Sequence, residues 1–294
     1  MALASASAEG RRVRIGEDVT TDGLDRILEH ETGDLTCTVE AGLRLSALNA
    51  ALRHHGQRLS LDPPGDPTIG ALLALNASGP LRHRFGAPRD LVLGVTLVLA
   101  DGTIASAGGK VVKNVAGYDL ARLACGSRGR LGLIARASFR LHPLPRASRT
   151  LVVETDSTAT AVGALLRSQL QPSALDVLHP GRLAILFEGS PRAVEDQIAA
   201  TRMLLEPSGA AVEVSDHQAV LVESRTRQET ARGRMRFAPG DLASTLAEFD
   251  EGIVRPAAGI AYVPQEIPDD RTESALHLEA AVLRAFDPQG VLAA

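Results

Sequence analysis

The chain has little cysteine, almost no lysine and no long apolar run. Cys37 and Cys125 stand far apart and form no Cys-x-x-Cys. An iron–sulfur cluster takes four thiolates and a disulfide framework takes several pairs, so neither is carried by these two residues. A reducing cytoplasm is the expected compartment. The longest apolar stretch, Leu91 to Ala100, falls short of the roughly 20 residues that cross a bilayer. Met1 to Gly10 shows no basic segment followed by an apolar core, so no secretory leader is expected. Any membrane association is expected to come through a partner. Gly-x-Ser-x-Gly, P-loop and dithiol motifs are also missing, which removes hydrolases, P-loop NTPases and dithiol redox enzymes as leading classes.

Lys110 and Lys113 are the only lysines, and with the many alanines this reads as coding bias. A formal net charge of −4 argues against a nucleic-acid protein, which needs a basic face. Of the eight histidines, His54 and His55 are adjacent and diverge on a helix, while the others are isolated, so no metal site is expected. Arg255 and Tyr262, near Gly259, either face a pocket or fill a core or surface position, the second being the ordinary reading.

The chain of 294 residues suggests two domains at about 150 residues each. Periodicity predicts strands over 35–40, 92–99, 104–107 and 131–141, a helix over 45–55 with Leu45, Leu48 and Leu52 on one side, and a short helix over 68–75. Asp101-Gly102 marks a hairpin. Beyond Pro143 and Pro145 the expected order is strand 150–154, helix 158–168, strands 174–178 and 184–188, helix 191–205 and strand 211–214. That β-α-β-β-α-β order is ferredoxin-like and reads as a separate module. Residues 216–294 mix helix and strand and end in a helix over 272–286, and the first dozen residues read as frayed.

Four segments carry possible chemistry. Asp62 to Gly70, with three prolines, runs into Asn76-Ala77-Ser78-Gly79, and Thr68 is placed to cap the intervening helix. A helix start offers unpaired amides and a positive dipole end to an anion. A tight helix–strand corner in a core is the equally weighted alternative. Arg82, Arg84 and Arg89 crowd a second segment ending at Asp90, able to bind phosphate or carboxylate or to pair with local acids on the surface. Gly108 to Leu120 holds both lysines, and Gly126 to Ile134 is a glycine turn feeding a strand.

Gly109-Lys110-Val111-Val112-Lys113-Asn114-Val115-Ala116-Gly117-Tyr118-Asp119-Leu120 and Thr68-Ile69-Gly70 through Asn76-Ala77-Ser78-Gly79-Pro80 are the most specific words, supported by Gly56-Gln57-Arg58-Leu59, Arg89-Asp90 and His142-Pro143-Leu144-Pro145. On these, residues 34–145 resemble the PCMH-type FAD-binding domain of the p-cresol methylhydroxylase/vanillyl-alcohol oxidase superfamily. Within it they are most similar to FAD-binding subunits of bacterial glycolate oxidase (glycolate dehydrogenase). The resemblance implies an α+β fold: a remnant of a first FAD subdomain over 1–33, an FAD-binding domain over 34–145, and a ferredoxin-like cap with a C-terminal return segment over 146–294. It implies FAD lined by Pro64, Thr68, Ile69, Gly70, Asn76, Ser78 and Gly79, with Arg84, Gly86, Arg89 and Asp90 close behind. Gly126, Ser127, Gly129, Gly132 and Ile134 would contact the adenosine half, and Tyr118 and Asp119 would shape the preceding loop.

The implied activity is oxidation of glycolate, a small 2-hydroxy acid, to glyoxylate. Electrons would pass to a larger FAD-binding subunit and an iron–sulfur subunit. No catalytic residue is assigned. The sequence departs from the family at Val13-Arg14-Ile15-Gly16, where relatives carry a pyrophosphate loop of consecutive glycines, and at Val291-Leu292-Ala293-Ala294, where they carry Asn-Pro-Gly. Weak FAD binding by the chain alone is therefore expected. A flavin-free structural subunit, or a first subdomain encoded upstream of Met1, fits the same departures.

Overall fold

The computed structural model describes residues 2–109, 119–208, 211–215, 219–268 and 271–293. In chain order its strands are β1 (Ile27–Glu31), β2 (Thr36–Glu40), β3 (Gln57–Arg58), β4 (Val92–Val98), β5 (Ile104–Gly108), β6 (Leu133–Arg140), β7 (His142–Pro143) and β8 (Ala147–Glu154). There follow β9 (Ala174–His179), β10 (Arg182–Gly189), β11 (Ala211–Ser215), β12 (Gly233–Arg236), β13 (Gly252–Arg255) and β14 (Ile260–Val263). They assemble into a five-stranded sheet, β1-β2-β6-β4-β5, a seven-stranded sheet, β11-β8-β10-β9-β13-β14-β12, and the small pair β3-β7. The architecture is mixed α and β with antiparallel sheets, as the sequence led us to expect.

In the first unit, helix Leu45–Arg53 buries Leu45, Leu48 and Leu52, the i, i+3, i+7 face that its sequence predicts. Helix Ile69–Ala74 buries Ile69, Leu72 and Leu73. Both pack with Val39, Leu97, Ile134, Ala137 and Phe139 in one core. Strand β1 pairs with β2, so residues before 34 already belong to this sheet.

In the second unit β8, helix Thr158–Arg167, β9, β10, helix Pro191–Leu205 and β11 follow one another in the predicted order. Ser190 caps the second helix, accepting from the Ala193 amide, and Pro191 occupies its first turn. The four strands do not stand alone. β13 adds to the outer edge of β9 and is followed by β14 and β12, so an edge that would otherwise expose its amides continues into a wider sheet.

One face of this sheet packs on the two helices through Leu151, Val162, Leu165, Ile185, Phe187, Val194 and Ile198. The other face carries Ala174, Leu178, Ala184, Leu186 and Ile253 against Leu81 of the first unit and Val220 and Leu221 of helix Ala219–Thr230. That apolar contact, plus the Arg58–Glu188 ion pair described below, joins the units.

The expectation of a frayed start is corrected. Ala2–Ala8 is a helix, and Leu3 and Ala6 bury against Val13, Ala100, Leu133, Val291 and Leu292. Val13 donates to Val291, Ala293 donates to Val13, and the Asp287 carboxylate accepts from the Val291 and Leu292 amides. Alanine-rich text looks featureless because its apolar surface is small, yet here it closes a core. Among the described residues no helix is long and apolar enough to cross a membrane.

Candidate functional site

The helix start at Thr68 differs from the expectation of open amides. Ile69 donates to the Leu43 carbonyl, Gly70 to the Ala41 carbonyl, and Ala71 to the Thr68 hydroxyl. The donors that would face an anion are spent on the neighbouring chain. Ile69 is fully buried, so its side chain belongs to the core and lines no cofactor surface. The residues 41–43 turn fits against the helix because Gly70 is bare: an added Cβ would lie 3.2 Å from Ala41 Cβ and carbonyl oxygen. Here the reading as a tight corner in a core is the one the structure supports. Pro64 lies on the partly exposed loop leading in, and Asp66 ties that loop to Ser46 through backbone and hydroxyl bonds of 2.9 and 2.7 Å.

The following turn is different. Asn76 adopts a left-handed backbone (φ 48°) and its side-chain oxygen accepts the Arg89 amide at 3.2 Å. Gly126 and Arg128 donate backbone bonds to Leu73 and Ala74, which lays the start of the Gly126–Ile134 turn beside Asn76. Ser78 is 2% exposed, and among the described residues no acceptor engages the Ser78 or Gly79 amide. Gly79 is required by packing: an added Cβ would fall 1.8 Å from the Asp62 carbonyl oxygen. Ser127 and Gly129 complete the neighbouring turn. Gly132 and Ile134 instead enter the sheet, Gly132 pressed against Val98 and Ile134 buried in the core.

The remaining expected residues separate. Asp90 accepts the Ala87 amide and shapes the turn in which Gly86 takes φ 81°. Arg89 is exposed, while Arg84 reaches the carbonyl of Gln171 in the second unit. Asp119 caps the short helix Leu120–Ala124 through the Arg122 amide. Lys110 to Tyr118, with both lysines, lies outside the described residues.

What sequence reading missed is a polar cluster where the units meet. Arg255, 2% exposed on β13, donates from Nε to Asp176 at 3.3 Å, from Nη1 to the Ser78 carbonyl at 3.3 Å and from Nη2 to Gln228 at 2.7 Å. Its guanidinium lies 5.2 Å from the centre of the Tyr262 ring. Asp176 is fully buried and also accepts from the Ser224 hydroxyl at 2.5 Å. Asp62 accepts the Leu81 amide and faces Arg225 at 3.5 Å. Burial pushes the Asp62 carboxyl up to about 7 against the opposing pull of Arg255 and Arg225. Burial likewise lowers His83, whose Nδ1 is enclosed and unpartnered. The polar letters of a β-strand and a helix end gave this away only as an aside about Arg255 and Tyr262. The cluster is assembled from six segments far apart in sequence.

Among the described residues no group of histidine, cysteine and carboxylates is arranged to hold a metal. Two cavities, of about 520 and 400 Å³, are lined by 247–251 with 264–265 and by 155–160, 179–181, 243 and 246–247. Neither touches the glycine turns or the polar cluster.

These turns can be set beside known proteins. Residues 7–108 match the family described as FAD binding domain. The glycolate oxidase subunit GlcE of Escherichia coli (strain K12) is 36% identical over 201 residues, covering 65% of this chain and 56% of the relative. Glycolate oxidase subunit GlcD of Bacillus subtilis (strain 168) is 34% identical, covering 55% of this chain and 36% of the relative. D-lactate dehydrogenase [cytochrome] 1, mitochondrial, of Saccharomyces cerevisiae (strain ATCC 204508 / S288c) is 31% identical, covering 59% and 30%. The chain thus spans from about a third to about a half of the length of these relatives. A solved alkyldihydroxyacetonephosphate synthase superposes over 98% of this chain and 72% of its own, with a TM-score of 0.72 at 14% identity, which shows a shared fold.

Proposed function

Residues 7–108 belong to the FAD-binding domain family, and on that premise we propose that the chain is the FAD-binding subunit of a complex oxidising a small 2-hydroxy acid, glycolate, to glyoxylate. The observation that carries it is the 36% identity with a glycolate oxidase subunit over 201 residues. In this reading 34–145, joined by the preceding strand β1 that pairs with β2, is the FAD-binding domain, and 146–294 is the cap. The same reading places the chain in the cytoplasm. A larger FAD-binding subunit and an iron–sulfur subunit accept its electrons, and the membrane is reached only through them.

The residues present fit one side of the cofactor. The enclosed Ser78 and Gly79 amides lack acceptors among the described residues and suit the polar edge of a flavin ring. Asn76, Gly126, Ser127 and Gly129 would hold it at the neighbouring turn. FAD, when bound, supplies the two-electron redox chemistry. This chain's residues orient the ring and keep water from it at the sheet junction. The Thr68 helix start does not fit the diphosphate, since its amides are already bonded. That observation supports weak FAD retention by the isolated chain and favours, as second reading, a flavin-free structural subunit of the same kind of complex.

The test is purification of the chain alone and with the larger subunit, followed by flavin absorbance and glycolate-dependent dye reduction. Flavin in the complex, reduced by glycolate, supports the first reading. A flavin-free chain in an active complex supports the second. Tightly held stoichiometric FAD in the isolated chain overturns the expectation of weak binding.

A further inference from the structure

Two arginines, Arg82 and Arg255, donate to Ser78, and the second of them lies over the ring of Tyr262. Arg82 donates to the Ser78 hydroxyl at 3.0 Å and has no carboxylate partner among the described residues. It is partly buried, and desolvation lowers its proton affinity. Neighbouring cations add to that lowering. Arg255, which donates to the Ser78 carbonyl at 3.3 Å, lies with its guanidinium 5.2 Å from the centre of the Tyr262 ring, so Arg82 and Tyr262 flank the same Ser78–Arg255 contact. Arg234 stands directly opposite Tyr262 across the β12–β14 ladder, which puts both side chains on one face, about 5 Å apart at their Cβ atoms. Among the described residues neither the Arg234 guanidinium nor the Tyr262 hydroxyl has a hydrogen-bond partner.

Of the neighbouring acids, Asp176 is already engaged by Arg255 and Ser224. Asp90 is turned to the Ala87 amide. Asp62 accepts the Leu81 amide and faces Arg225. Among the described residues no carboxylate is bonded to the Arg82 or Arg234 guanidinium, and Arg82 is partly buried. That arrangement is costly until an anion is supplied.

We propose that Arg82, Arg234 and the Tyr262 hydroxyl form the carboxylate-binding corner for the substrate, a small monocarboxylate, beside the Ser78–Gly79 turn. This rests on the functional reading above, because that reading places the flavin ring at the same turn. A carboxylate held between the two guanidinia presents its α-carbon toward Ser78 and Gly79. Planar forked donors suit a carboxylate better than a lysine ammonium does. The corner's donors lie on both units, Arg82 on the first and Arg234 and Tyr262 on the second, so substrate binding also draws the units together.

The test needs no turnover. Glycolate and the unreactive analogue oxalate are titrated into the purified full chain by calorimetry, with and without added FAD. Comparisons are made with Arg82→Gln, Arg234→Ala and Tyr262→Phe, and with Arg192→Ala on the distant Pro191–Leu205 helix as control. Loss of an ionic hydrogen bond is expected to weaken binding about tenfold for each arginine variant and less for Tyr262→Phe. Arg192→Ala is expected to bind as the parent chain does. Arg234 is exposed on an edge strand, so its removal leaves the fold intact and keeps the test valid if Arg82→Gln misfolds. Parent-like binding by Arg234→Ala, or no binding of either anion by the parent chain under both conditions, overturns the proposal. Flavin absorbance is read separately. Anion binding that depends on both arginines in a chain that never takes flavin keeps the corner and removes the flavin reading. Flavin uptake with anion binding indifferent to both arginines does the reverse.

Discussion

Replacing Glu188 by alanine tests how the two units are held. Glu188 on β10 accepts two bonds from Arg58, at 2.8 and 2.6 Å, and the side chains are 6% and 14% exposed. Arg58 Nε is enclosed without a partner, and its guanidinium lies 5.3 Å from the centre of the Phe85 ring. Removal of the carboxylate therefore strands a desolvated cation. Breaking one side of a buried pair costs about 3–5 kcal/mol, much of it the penalty of the orphaned charge. For a chain of this size about 1 kcal/mol moves the melting temperature by roughly 2–4 °C, so a loss of about 6 °C or more is expected. Scanning calorimetry reads it, and a second transition is expected to emerge as the units uncouple. The double variant Arg58→Met, Glu188→Leu removes both charges and is expected to recover most of the loss, since well-packed apolar pairs match or exceed buried ion pairs. A melting temperature unchanged within about 1 °C in Glu188→Ala would refute the assignment of this pair as an inter-unit tie.

Further outcomes follow from single contacts. Gly79→Ala is expected to unfold the first unit in flavin-free urea titrations, because its Cβ would overlap the Asp62 carbonyl. Loss of flavin in that variant therefore says nothing about cofactor contact. Asp287→Ala removes the acceptor of two amides and is expected to cost about 2 kcal/mol and expose the amino-terminal helix to proteolysis. Burial, reinforced by Arg140, Arg58 and Arg84, depresses His142 to about 4. Its contribution is present above pH of about 6.5 and lost as pH falls through about 4. His142→Asn is expected to flatten that acid sensitivity, seen as melting temperature against pH. Burial pushes both Cys37 and Cys125 up to about 12, so neither is expected to react with Ellman's reagent in the native chain at pH 8.

Local periodicity made the skeleton legible. Leu45, Leu48 and Leu52 announce a helix, and Asp101-Gly102 between two apolar runs announces the β4–β5 hairpin, because each pattern is decided by neighbours within a few residues. The widening of the second sheet was not legible. β12, β13 and β14 are four residues each, and their place is fixed by pairing with β9, whose edge only the assembled sheet reveals. The amino-terminal helix was hidden for a similar reason, since Leu3 and Ala6 gain their partners from residues near the other end of the chain.

The candidate site shows the same division at the level of hydrogen bonds. Thr68, Gly70, Ser78 and Gly79 were visible because turn chemistry needs those residue types. Their roles were not, because a glycine that admits a ligand and one that admits another stretch of backbone are written alike. Gly70 faces Ala41 and Gly79 faces Asp62, so both serve the chain itself. Among the described residues the groups left to a ligand are the Ser78 and Gly79 amides, the Arg234 guanidinium and the Tyr262 hydroxyl, with Arg82 bonded only to the Ser78 hydroxyl. These five residues come from a loop, a helix and two strands, and they lie where Arg255 already draws Ser78 to Asp176. These donors lie at the contact between the units, which is where the proposed carboxylate corner stands.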